Sequence, residues 1–136
     1  MPTEMKPLTV LVVDDDEILR DMISFTLQRH GYRVLSAEDG QAGLSLLAEQ
    51  SKEVDVILTD ITMPQMTGPQ MLEAWVKSRD ASLPFPKIIF LSGDANDKQS
   101  PKGVPAQKLF YLPKPLTGKY LLEKLREITS DSESLV

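Results

Sequence analysis

Leu8-Thr9-Val10-Leu11-Val12-Val13, followed at once by Asp14-Asp15-Asp16-Glu17, is the stretch on which the fold turns. Five of its first six residues are apolar and three are Val. A run this short and unbroken reads as a strand buried on both faces, the habit of parallel sheets. From Glu17 to His30, the residues Ile18, Leu19, Met22, Ile23, Phe25 and Leu27 recur at helical spacing, and Gly31 stands where a helix would close. The same strand-then-helix pattern repeats downstream. Strands are predicted over Tyr32–Ala37, Val54–Thr59, Lys87–Leu91 and Leu109–Leu112, and helices over Gln41–Glu49, Gln70–Ser78 and about Thr117–Ile128. Alternation of this kind predicts an α/β domain with a parallel sheet, wound right-handedly so that all strand ends meet at one edge.

One stretch departs from the pattern. Asp94 to Gln107 contains Pro101, Gly103 and Pro105 and few apolar residues, so a regular helix there is not expected. With no internal repeat and no long linker, the chain reads as a leader over 1–7, one domain over 8–128 and a flexible tail over 129–136.

The bulk properties narrow the function. A chain of 136 residues has room for a single core, and the absence of cysteine excludes thiolate metal sites and thiol catalysis. No signal peptide and no apolar run of membrane-spanning length is present, so the expected location is cytoplasmic with no membrane contact. A net charge of -5 without a basic stripe argues against direct nucleic-acid binding.

Ligands of open parallel sheets bind beyond the carboxyl ends of the strands. The residues that follow the apolar runs are Asp14 and Asp15, Asp60, Ser92 and Lys114. Acids at a helix start can simply cap it. Carboxylates arriving from two strand ends, however, repel each other and call for a cation. Oxygen-only donors point to Mg2+, which takes one or two carboxylates together with waters and phosphate oxygens. Opposite them an ammonium such as Lys114 can balance phosphoryl oxygens.

In this order, Val10-Leu11-Val12-Val13-Asp14-Asp15, Thr59-Asp60-Ile61-Thr62-Met63-Pro64 with Gly68, Leu91-Ser92-Gly93 and Lys114-Pro115 closely resemble the receiver domain of two-component response regulators. The resemblance spans about residues 8 to 128. It implies a flavodoxin-like five-stranded parallel sheet of order 2-1-3-4-5 with helices on both faces, the fourth helix here being short or irregular. It implies Asp60 as phosphoacceptor, with Asp15 as a direct Mg2+ ligand and Asp14 as a ligand through water. The main-chain carbonyl of Thr62 would be a further metal contact, and Lys114 and Ser92 would touch the phosphoryl oxygens. Ser92 and Tyr111 would form the switch, and the Lys114-Pro115 bond would be cis. The implied partners are a histidine kinase or histidine phosphotransfer protein upstream and an unknown protein downstream. The domain is then a signalling phosphoacceptor rather than an enzyme.

Two other readings compete. Asp14-x-Asp16, Ser92 and Lys114 mimic motifs of haloacid dehalogenase-type phosphohydrolases, with Asp14 as nucleophile, but the further acidic pair of that family is missing after Lys114. A receiver-like scaffold that is never phosphorylated is the second.

Overall fold

The structure is a computed structural model, described here for residues 6–94 and 98–130. Five strands, β1 (Thr9–Val13), β2 (Arg33–Ala37), β3 (Val56–Asp60), β4 (Lys87–Ser92) and β5 (Leu109–Pro113), alternate with four α-helices. The helices are α1 (Glu17–Arg29), α2 (Gly40–Gln50), α3 (Gly68–Ser78) and α4 (Gly118–Ser130). The strands pair in parallel in the order β2-β1-β3-β4-β5, as the resemblance implies.

Alternate residues of each strand face opposite sides, and each side is closed by two helices. Val10, Val12, Leu58 and Leu91 meet Ile23 and Leu27 of α1 and Leu121 and Leu125 of α4. Leu11, Val13, Ile57 and Phe90 meet Leu47 of α2 and Met71, Leu72 and Trp75 of α3. All five residues of β1 and of β3 are buried, which is why their sequences are apolar runs rather than alternating ones. Burying each large apolar side chain contributes roughly 1.5–3 kcal/mol.

Helix ends follow local chemistry. Asp16 caps α1, its carboxylate accepting the Leu19 N–H, and Asp39 caps α2 in the same way through Ala42 N–H. Thr67 and Gln70 form a reciprocal capping box at the start of α3. Gly31, at φ +92°, turns the chain out of α1.

Between β4 and β5 the described residues contain no α-helix, only a 3-10 turn at Ala106–Lys108. The irregularity expected from Pro101, Gly103 and Pro105 is therefore real. At the carboxyl end, α4 runs through Ser130, two residues past the expected boundary at 128. Leu125 and Ile128 on its buried face, and the Thr129 hydroxyl bonded to the Leu125 carbonyl, carry the helix on. Residues 1–5 of the expected leader and 131–136 of the expected tail lie outside the described residues. Among the described residues, no helix is long and apolar enough to cross a membrane.

Candidate phosphoacceptor site

Sheet register sets the site. Thr59 pairs with Val13, Asp60 with Leu91, and Ser92 with Pro113, so the next residues of three strands emerge side by side at the carboxyl edge. Lys114 is held to this edge by its own N–H, which donates to the Ser92 carbonyl at 2.8 Å, and the Lys114-Pro115 bond is cis.

The structure brings Asp14, Asp15 and Asp60 together, with one carboxylate oxygen of each lying within 4.8 Å of the others. Their environments differ. Asp14 is fully buried and Asp60 nearly so, while Asp15 is exposed. Asp14 Oδ1 accepts the Asp16 N–H at 2.9 Å, but Oδ2 is buried without a hydrogen bond. The Lys114 ammonium reaches between the two buried acids, 3.1 Å from Asp60 Oδ2 and 3.6 Å from Asp14 Oδ2.

Burial pushes the carboxyl groups of both Asp14 and Asp60 above the usual carboxylate range. The Asp16 N–H and Lys114 oppose this at Asp14, and Lys114 and the Thr62 backbone oppose it at Asp60. Burial alone would lower the Lys114 ammonium, but its hydrogen bond to Asp60 and the charges of Asp14 and Asp60 outweigh it, so its pKa is raised. One lysine thus leaves negative charge uncompensated. An orphaned carboxylate oxygen, three converging carboxylates and an all-oxygen donor set fit a hard divalent cation such as Mg2+.

The loop after β3 is folded tightly back on Asp60. The Thr59 hydroxyl donates to the Asp60 carbonyl at 3.0 Å, and the Gly68 N–H donates to the Ile61 carbonyl at 2.9 Å. Thr62 is exposed beside Asp60, and Met63 is buried, anchoring the turn.

Ser92 ends β4 one position beyond the partner of Asp60, and Tyr111 lies on the neighbouring β5 opposite Phe90, but their hydroxyls point elsewhere. Ser92 Oγ donates to the Asp94 carbonyl at 2.6 Å, and Tyr111 Oη donates to the Gln99 carbonyl. The Tyr111 ring is tilted against Phe90, with centroids 5.7 Å apart.

Arg20 was not legible as a site residue. Its guanidinium donates to the Asp14 carbonyl at 2.8 Å, tying the first turn of α1 to the end of β1. The one available signal was its place four residues after the helix cap, on the side that returns toward the acids. A groove of about 660 Å³ lies at the opposite edge of the sheet. It holds Asp55 as its one acidic lining residue, so the chemistry follows the carboxylates and not the volume.

The sequence model of the family described as response regulator receiver domain matches residues 10–126. Sensor kinase CckA of Brucella abortus is 36% identical over 121 residues, which are 88% of this chain and 12% of that protein. Response regulator MprA of Mycolicibacterium vanbaalenii is 32% identical over 90% of this chain and 50% of its own length. The chain therefore spans half or less of these curated relatives. Among solved structures, chemotaxis response regulator CheY4 of Vibrio cholerae superposes with a TM-score of 0.71 at 32% identity, covering 90% of this chain and 98% of that one. The receiver domain of hybrid histidine kinase CckA gives 0.70 at 28% identity, covering 88% of this chain and 97% of that one.

Proposed function

Because the chain belongs to the response regulator receiver domain family of two-component signalling, we propose that Asp60 takes a phosphoryl group from a phosphohistidine on a kinase or phosphotransfer protein. The observation that carries this reading is the Lys114 ammonium 3.1 Å from Asp60 Oδ2, inside a cluster of three converging carboxylates. In the transfer, an Asp60 carboxylate oxygen forms the new P–O bond while the P–N bond to the donor imidazole breaks, and that electron pair leaves with the imidazole. Such chemistry asks a protein for in-line positioning and charge neutralisation.

Asp14, Asp15, Asp60 and the Thr62 carbonyl are the residues to hold Mg2+, which supplies positive charge against the phosphoryl oxygens when bound. Lys114 contributes the second positive charge from the side of β5. The Gly68 and Thr59 contacts to the Asp60–Ile61 backbone keep the acceptor from rotating out of line. Asp16, the second acid that a haloacid dehalogenase-type mechanism would need, is engaged as the cap of α1, which favours the receiver reading. Incubation with Mg2+ and acetyl phosphate should add one phosphoryl group by mass spectrometry, labile to alkali and hydroxylamine, and excess chelator should slow the addition severely. Equal rates with and without chelator would overturn the metal assignment.

A protein donor must dock beside Asp60, and the structure offers an apolar rim there. Ile18 is 83% exposed on the first turn of α1. Together with Leu19, Met22, Pro115 and Leu116 it lines a groove of about 550 Å³ next to Lys114. Ile18→Asp is expected to slow transfer from a phosphorylated protein donor by roughly tenfold or more, the usual cost of a central interface residue, while leaving acetyl phosphate labelling unchanged. Equal loss with both donors would mean that the substitution damages the site itself.

A further inference from the structure

The chain carries a net charge of -5, yet the groove at the amino ends of its strands is basic. Lys6, Lys52, Lys87, Lys108 and Arg126 line it against a single acid, Asp55, whose carboxylate already accepts the Thr9 N–H at 2.8 Å. Lys87 is engaged as well, its ammonium donating to the Ile128 carbonyl at 3.0 Å. Among the described residues, none of the other four cations forms a salt bridge. The connector Leu83-Pro84-Phe85-Pro86 adds an apolar wall, with Pro84 exposed and Phe85 half-buried. A cleft lined by one sign of charge draws in the opposite sign. An apolar wall beside it favours an anion that also carries apolar side chains.

Such a segment is attached at the rim. Helix α4 ends at Ser130, and Thr129 and Ser130 themselves line the groove. The residues that follow in the sequence are Asp131-Ser132-Glu133-Ser134-Leu135-Val136, two acids and then two apolar residues. Extended, six residues reach about 20 Å. The groove runs past the starts of β5, β4, β3 and β1, which is three strand spacings or about 14 Å. The segment is therefore long enough to cross it.

We propose that this groove is the seat of residues 131–136 of its own chain, with Asp131 and Glu133 facing the cations and Leu135 and Val136 against the Pro84–Phe85 wall. Exposed ion pairs are weak between separate molecules. Here α4 holds the acids at high effective concentration, so weak pairs suffice. Seated, the segment neutralises the basic edge, and an acidic partner must displace it before binding there. The seat lies at the edge of the sheet opposite Asp60 and does not depend on phosphorylation.

The test uses the full chain. Because it contains no cysteine, Val136→Cys accepts a single spin label, and paramagnetic broadening is read at the 15N amides of Leu8, Val56 and Lys108 in the groove. At low salt these amides should be broadened strongly. Neutralising the acids with Asp131→Asn and Glu133→Gln should reduce the broadening about fivefold, the scale of losing two exposed ion pairs. Lys52→Glu with Arg126→Glu, both at exposed positions, should do the same, as should 1 M salt, where screening acts within about 3 Å. Broadening that is unchanged by all three overturns the seat. If 15N chain without the label is broadened as strongly when mixed with spin-labelled chain of natural isotope content, the groove takes the segment of a second copy, which also overturns it. Shifts of the groove amides on adding polyglutamate that are the same with and without the acids at 131 and 133 would give the groove to an acidic partner alone, and the seat would again be wrong.

Discussion

Asp60→Asn is expected to abolish hydroxylamine-labile phosphorylation by any donor and, at the same time, to make the metal-free protein more stable. The first effect follows from removing the attacking oxygen. The second follows from burial, which raises the Asp60 and Asp14 carboxyl groups above the ordinary carboxylate value of 3.8. A carboxyl raised in the folded state favours folding when it is neutral. That contribution is complete below the unfolded value and is lost as pH climbs through the raised folded one. Wherever these acids are charged, that charge is therefore held at a cost, only partly offset by Lys114. An isosteric neutral amide relieves about 1 kcal/mol of it, or about 3–6 °C in Tm for a domain of this size. Asp14→Asn should stabilise likewise but keep its phosphorylation at Asp60, at a reduced rate. Thermal denaturation in chelator, repeated with Mg2+, checks the pair. Mg2+ should raise the Tm of the wild type and lose most of that effect in either variant. Should Asp14→Asn, and not Asp60→Asn, remove the covalent phosphate, Asp14 is the nucleophile and the dehalogenase-type reading replaces the receiver one.

The second large effect is expected at Gly68, which has no functional group. A Cβ there would stand 2.4 Å from the Asp60 carbonyl oxygen and 3.3 Å from both Phe90 Cε1 and Thr59 Oγ1. Neither side can yield cheaply. Asp60 is fixed in the ladder between β3 and β4, and the Gly68 N–H is bonded to the Ile61 carbonyl. Gly68→Ala should cost about 3 kcal/mol by overpacking. It should also slow phosphorylation roughly hundredfold in the molecules that stay folded, because a small displacement of the acceptor spoils in-line attack. Gly93→Ala is the control. A Cβ added to Gly93 would meet nothing within 4 Å, so the stability of this variant should stay within about 0.5 kcal/mol of the wild type. Urea denaturation and initial phosphorylation rates read both effects.

Much of this was legible from residue order. β1, β3 and β4 announce themselves because strands buried on both faces must be apolar nearly throughout, and the position after each such run is fixed by the chain itself. Asp14 and Asp60 therefore needed no tertiary information to be placed at one edge, and Lys114, after the half-buried β5, joins them by the same winding. Arg20 and the hydroxyls of Ser92 and Tyr111 did. Arg20 meets the Asp14 carbonyl only because α1 folds back over β1, and a hydroxyl's partner depends on which carbonyl the next loop presents. The proline-bearing connection was legible only as an absence of helix. The hydrogen bond from Lys102 N–H to Glu73 and the fit of Gly103 against Val76 join residues nearly thirty positions apart, beyond the reach of any local pattern.

The strand order also decides how this domain behaves in a crowd of its own copies. An open sheet has two rims, and here they are β2 and β5, the strands most able to recruit a stranger's backbone. Each is only five residues long. β2 begins with the exposed cation Arg33, and β5 ends on Pro113, which has no N–H to offer. The most deeply buried strands, which would propagate fibrils if presented at a rim, are the three enclosed between them. Resistance to edge-to-edge aggregation is thus built into which strands the winding leaves outermost.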